Sequence, residues 1–182
     1  MKFRGIVLSL TLLNNPGKFL RVSSLCAMKL SQDFLANLIL EEKFSEALTV
    51  LRELITDNSS EYSVRCFAHT FRGIILEEKV NDKDAAIEEF THAINMDPEC
   101  PDPYAHRANL YDEAGDFTNA IRDYNKLTEI QPFNDSHYFN RGYIFKKIGW
   151  FQKSLQDLNK AIELKFDGHY LMVRGSLLKY HM

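Results

Sequence analysis

The chain has 182 residues, 45% of them hydrophobic and 26% charged, ordinary proportions for a soluble globular or helical-repeat domain with enough length to bury a core. Its 22 basic and 25 acidic side chains leave a formal charge of −3, which argues against a generally cationic nucleic-acid binder. Eight glycines and five prolines exclude collagen-like and low-complexity chains.

Residues 1–28 stand apart. The first thirty positions hold five basic residues (Lys2, Arg4, Lys18, Arg21, Lys29) and no acid, leaving 17 basic against 25 acidic in the remainder. An apolar run at 6–13 (IVLSLTLL) stops at Asn14-Asn15-Pro16-Gly17 and is far short of the roughly 20 residues a membrane-spanning helix needs. Three readings stay open here: a secretory signal with a poor cleavage site, a mitochondrial presequence, or an unstructured alternative leader ending at Met28.

From residue 29 the chain reads as helix pairs. A first, irregular pair spans 29–60, with Phe44, Ala47, Leu51 and Leu54 on one stripe and a long loop at 57–61. The unit 66–100 holds helices over 67–79 and 83–95, with one extra residue assigned to the turn at 80–84. In the unit 101–134, Asp102 is the expected N-cap and Pro103 the first helical residue. That helix runs to Ala114 and is closed by Gly115; Asp116 caps a second helix over 117–130, which Pro132 prevents from continuing. The unit 135–168 repeats the syntax at 136–148 and 151–164. The last segment, 169–182, reads as one helix. It either caps the stack, with Arg174 and Lys179 toward water, or leaves an apolar face (Leu171, Met172, Val173, Leu177, Leu178) for self-association.

The strongest signal is internal repetition. Segments beginning at Ala86, Ala120 and Ser154 lie 34 apart. Arg72-Gly73, Arg107-Ala108, Arg141-Gly142 and Arg174-Gly175 follow at steps of 35, 34 and 33, and Asp97-Pro98 and Gln131-Pro132 are again 34 apart. The pattern resembles the tetratricopeptide repeat family, a 34-residue helix–turn–helix unit. The unit 101–134 matches it at Tyr104, Ala108, Tyr111, Gly115, Ala120, Tyr124 and Pro132. The unit 135–168 matches at Tyr138, Gly142, Phe145, Gly149, Phe151 and Ala161, and departs at Ser154, Leu158 and Phe166. The unit 66–100 matches at Gly73, Ala86, Phe90, Ala93 and Pro98. The resemblance covers 29–182 and implies an all-α solenoid, a right-handed superhelix with the first helices on its concave side.

Each recurring arginine has an acid sixteen or seventeen residues later, in the paired helix: Arg72 with Glu89, Arg107 with Asp123, Arg141 with Asp157. Structural ion pairing is the expectation, because a partly buried guanidinium needs a carboxylate. By resemblance, the groove is lined by Phe67, Thr70, Ile74 and Glu77; Asp102, Ala105, Asn109 and Asp112; Ser136, Phe139, Tyr143 and Lys146; and His169, Met172, Ser176 and Lys179. Of these, Glu77, Asn109, Asp112, Phe139, Tyr143 and Lys146 are the candidate partner-binding residues. A mixture of acids, lysines and aromatics suits an extended or helical peptide. Trp150 is a candidate exposed anchor, with packing on a neighbouring loop as the alternative.

One subclass of the family binds the C-terminal carboxylate of chaperones through a five-residue clamp. Asn109 and Asn140 match its asparagines, but Ala105, His169 and Val173 replace its basic residues, so a chaperone tail is not the expected ligand. No nucleophile–base set, phosphate loop or dinucleotide fingerprint occurs, so no enzyme activity and no cofactor is expected. Cys26, Cys66 and Cys100 show no Cys-x-x-Cys spacing and the histidines no metal-site spacing; the thiols read as reduced, and no metal is expected. The expectation is a non-catalytic adaptor or scaffold holding a protein segment in the groove, with a structural assembly subunit or co-chaperone acting through its convex face or exposed end as the alternative. No integral membrane segment and no nucleic-acid partner are expected. It is expected in the cytoplasm, or in mitochondria through its basic leader.

Overall fold

A computed structural model describes residues 37–38, 43–56 and 62–181; the leader 1–28 and the loop 57–61 lie outside the described residues. The described segments are all α: α1 (Phe44–Thr56), α2 (Tyr62–Ile75), α3 (Lys83–Met96), α4 (Pro101–Glu113), α5 (Phe117–Ile130), α6 (Asp135–Lys147), α7 (Phe151–Leu164) and α8 (Gly168–His181). Each helix packs chiefly against its neighbours in sequence, so the elements form a linear stack, a solenoid.

The turns between paired helices follow from local chemistry. Gly115 and Gly149 sit at φ 78° and 79°, the left-handed conformation that ends α4 and α6 at little cost to a glycine. Asp116 then accepts from the Asn119 backbone N–H at 3.1 Å, capping α5. Asp82 does the same for α3 through the Ala85 N–H. Trp150 stands at this position in the next unit and supplies no side-chain cap.

The helices differ from the sequence reading at three places. The first helix of the unit 66–100, expected over 67–79, already begins at Tyr62. The helix expected to start at Pro103 begins at Pro101, with Cys100 as N-cap and Asp102 inside the first turn. Pro101 is as well suited as Pro103 to open a helix, since neither has an N–H to leave unpaired. The extra residue of the unit 66–100 is also elsewhere than expected. It is absorbed in a π-helical turn, Leu76–Val80, that continues α2. Asn81, at φ 59°, then occupies the left-handed position that Gly115 and Gly149 hold, and Asp82 the capping position of Asp116. The turn keeps its register, and the helix before it carries the insertion.

The core is divided into packets that cross repeat boundaries. Tyr104 and Ala108 of α4, Ala120, Tyr124 and Leu127 of α5, and Ile144 of α6 form one. Ala86 and Phe90 of α3 pack with Leu110 of α4. Leu158 of α7 packs with Val173 and Leu177 of α8. The first pair contributes Leu38, Ala47 and Leu51 against Ala68 and Ile75 of α2. Small residues permit these crossings: a Cβ on Gly73 would stand 2.6 Å from the Phe90 ring, and one on Gly142 would stand 3.0 Å from the Asp157 Cβ. Tyr104 and Tyr138 repeat a further device, donating their hydroxyls to the Pro98 and Pro132 carbonyls of the preceding loops.

Candidate functional site

The arginine markers lie on the first helices and face the second ones. Arg107 binds Asp123 through two parallel bonds, Nε to Oδ2 and Nη2 to Oδ1, both 2.8 Å. Arg141 repeats this with Asp157 at 2.7 and 2.8 Å. Such fork-to-carboxylate geometry fixes orientation as well as charge. Arg72 reaches Glu89 at 3.3 Å, and the other Glu89 oxygen meets His69 Nδ1 at 2.8 Å.

A second set of contacts joins three of these arginines to the preceding repeat. Arg107 Nη1 donates to Thr91 Oγ1 at 2.8 Å, Arg141 Nη1 to Asn125 Oδ1 at 2.9 Å, and Arg174 Nη1 to Asn159 Oδ1 at 3.0 Å. Thr91, Asn125 and Asn159 are themselves 34 apart, a periodic signal the sequence reading did not use. Arg107 and Arg141 therefore each tie their own helix pair together and to the pair before it, while Arg174 makes only the second contact. Arg174, expected toward water, is half-buried through this contact.

The groove positions differ sharply along the stack. On α2, Thr70 is buried and donates to the Cys66 carbonyl, while Phe67 and Ile74 are half-buried against core packets. That end is covered rather than open. Glu77 falls in the π-helical turn and contacts His106 Nδ1 at 3.1 Å. Asp112 accepts from Lys147 Nζ at 2.7 Å, and Lys146 Nζ donates to Ser176 at 2.8 Å. These groove charges thus have partners within the protein. Asn109 accepts from the Tyr124 hydroxyl, which Asn140 also contacts. Burial pushes the Tyr124 pKa up to about 12, so the phenol stays a donor.

Toward α6 and α8 the face is aromatic. Phe139 stacks on Tyr170 at 4.4 Å between ring centroids, with His169 at 5.1 Å and Tyr143 at 6.3 Å. Tyr143 is 39% exposed, Met172 65%, and Asp102, Ser136 and His169 are exposed. Lys147 lies 5.1 Å over the Tyr143 ring. Trp150 is 49% exposed. It stacks on Phe145 at 5.8 Å and carries Lys153 above its ring at 4.2 Å. The ring thus packs on a helix residue rather than on a neighbouring loop, and half of it faces solvent.

One cluster escaped the sequence reading. Cys66, Asp97 and Cys100 bring one ligand atom each within 4.8 Å of one another. The Cys66 thiol is held far above its ordinary range, first by its hydrogen bond to Cys100, then by burial and neighbouring negative charge. Cys100 is lowered by the same hydrogen bond. Short Cys-x-x-Cys spacing does not mark this pair, because its two cysteines are separated by one repeat length, 34 residues.

Among the described residues no helix is long and apolar enough to cross a membrane. None of the curated proteins matches this sequence. Solved structures do. The MamA protein of Desulfovibrio magneticus RS-1 (residues 41 to its end) aligns with a TM-score of 0.69 at 16% identity, covering 82% of each chain. The N-terminal domain of stress-induced protein-1 from C. elegans gives 0.61 at 18% identity, covering 66% of this chain and 99% of that one. The first repeat domain of Spaghetti (RPAP3), bound to the HSP90 peptide SRMEEVD, gives 0.60 at 19% identity, covering 64% and 93%. At these identities the likeness is one of fold. The Tetratricopeptide repeat profile matches residues 69–100, 101–134 and 138–167, more than half of the chain. With its helix pairs, small-residue crossings and arginine ties in the expected register, this chain belongs to the tetratricopeptide repeat family.

Proposed function

We propose that the protein is a non-catalytic adaptor that holds a segment of a partner protein against the concave face formed by α4, α6 and α8. The observation that carries this reading is the pair of exposed rings Tyr143 and His169 flanking half-buried Phe139, which stacks on the buried Tyr170, with Met172 exposed on the same helix as His169. Exposed aromatic and thioether groups on a rigid helical face are the groups that anchor peptides, because they bury area with little loss of side-chain freedom. Lys147 is bonded to Asp112 and Lys146 to Ser176. They contribute to a ligand only by exchanging partners, which favours apolar anchoring over simple charge matching.

The RPAP3 domain is bound to the HSP90 peptide SRMEEVD. For this chain we do not extend that ligand. Ala105 has no charge to offer, Val173 is buried against Leu158, and Asn109 is already bonded to Tyr124. The free thiols Cys66 and Cys100 suit a reducing compartment such as the cytoplasm.

The test is affinity capture with the wild-type chain and with an Asn109→Ala/Tyr143→Ala double variant of unchanged circular dichroism. Loss of the principal captured protein supports the groove, and full retention contradicts it. A second reading rests on α8, where Met172 and Leu178 are exposed: self-association through this helix makes the apparent mass in light scattering rise with concentration. A constant monomer mass excludes it.

A further inference from the structure

Cys66 lies in the second turn of α2, Asp97 follows the last residue of α3, and Cys100 is the N-cap of α4. Three elements therefore deliver two sulfurs and one carboxylate oxygen to a single point, all within 4.8 Å of one another. Around a tetrahedral ion with metal–sulfur bonds of about 2.3 Å and metal–oxygen bonds of about 2.1 Å, neighbouring ligand atoms stand roughly 3.4–3.8 Å apart. The cluster is thus within a small side-chain adjustment of a coordination shell.

The surroundings hold these groups in place. The Cys66 carbonyl is fixed by the Thr70 hydroxyl at 2.9 Å. Asp97 Oδ1 accepts from the Glu99 N–H at 3.1 Å, and the Asp97 N–H donates to the Ala93 carbonyl. Cys100 sits at a helix N-terminus, where the helix dipole favours a thiolate. Cys66 is 3% exposed and the other two are half-buried, so the cluster is closed on one side and open to water on the other.

We propose that Cys66, Asp97 and Cys100 bind one borderline divalent cation of the zinc class, with water in the fourth position. Two sulfur ligands select such an ion over magnesium or calcium, which prefer all-oxygen shells. On binding, each thiol releases its proton to solvent and forms a sulfur–metal bond, while the carboxylate, already ionised, adds an oxygen bond. No electron moves. The ion would tie α2 to the junction that begins the next repeat, and binding to the folded state alone would raise its stability. This inference is independent of the groove reading.

The experiment uses the full chain carrying Cys26→Ser, so that only two thiols remain, reduced with a phosphine, stripped with chelator and titrated with cobalt(II) in the absence of oxygen. The expected result is one cobalt per chain, a near-ultraviolet thiolate-to-cobalt charge-transfer band, a raised Tm, and displacement of the cobalt by zinc. Cys66→Ser and Cys100→Ser lose the band, and Asp97→Asn weakens binding. Cys100 is half-exposed, so its variant decides the matter if Cys66→Ser does not fold. No band, or an undiminished band in Cys100→Ser, overturns the proposal. So does a chain that takes up no cobalt yet loses two hydrogens of mass in air, which would make the pair a disulfide couple.

Discussion

Arg107 and Asp123 are 7% and 1% exposed, so each depends on the other for its charge to be tolerated. Arg107→Ala leaves the carboxylate buried and uncompensated, and the expected cost is about 3–5 kcal/mol, read as a lower denaturation midpoint. Unchanged stability would contradict a structural role. Ser154 is the opposite case. It is fully buried at a position where the other units have Ala86 and Ala120, and its hydroxyl has no hydrogen-bond partner. Ser154→Ala is expected to stabilise the chain by about 1 kcal/mol, because a desolvated donor is removed; a loss of stability would show that the hydroxyl is satisfied. His137 is buried with its Nε2 at 2.7 Å from Gln131 Oε1, and burial lowers its pKa. The unfolded chain therefore binds the proton more readily, so this contribution to stability is present above the unfolded value, about 6.5, and is lost as the pH falls through the lower folded one. His137→Gln should flatten that acid limb in a plot of Tm against pH; an identical slope would deny it.

At the scale of the helix, the sequence pattern carried most of the information. Caps at Asp116 and Asp82, the glycine closures at 115 and 149 and the arginine-to-acid pairing all follow from residue types acting within one turn or one helix pair. The misplaced insertion shows where such reading stops. Counting residues reveals that one is extra, but not whether a turn or a helix absorbs it, since that depends on which backbone hydrogen bonds survive. The π-helical turn at Leu76–Val80 absorbs it and keeps Asn81 and Asp82 in register with Gly115 and Asp116. Deleting the exposed Glu78 should therefore restore an ordinary α-helical turn, with a stability change within about 1 kcal/mol. Deleting Asp112, in a helix with no residue to spare, should be severely destabilising in the same urea titration. Equal costs for the two deletions would refute this account of the insertion.

Across the whole molecule, each core packet borrows residues from neighbouring repeats, as Ile144 does in completing the packet of Tyr104 and Tyr124. No helix pair is self-sufficient, so the stack is what makes a rigid face. The periodic residues announced that stack in the sequence. The face itself was less legible. Family register put Thr70, Ile74 and Glu77 in the groove, yet packing and local contacts cover them. Asp112 and Lys146, expected among the partner-binding residues, are bonded across repeats over separations of 35 and 30 residues. The Cys66–Cys100 approach was hidden for the same reason, because only the superposition of successive repeats brings such positions together. The most direct measurement of the adaptor reading is site-specific photocrosslinking, with a photoreactive phenylalanine analogue placed at Tyr143 on the proposed binding face or at the exposed Gln156 of α7. The account predicts a partner adduct from position 143 and none from 156. Adducts from 156 alone would contradict it.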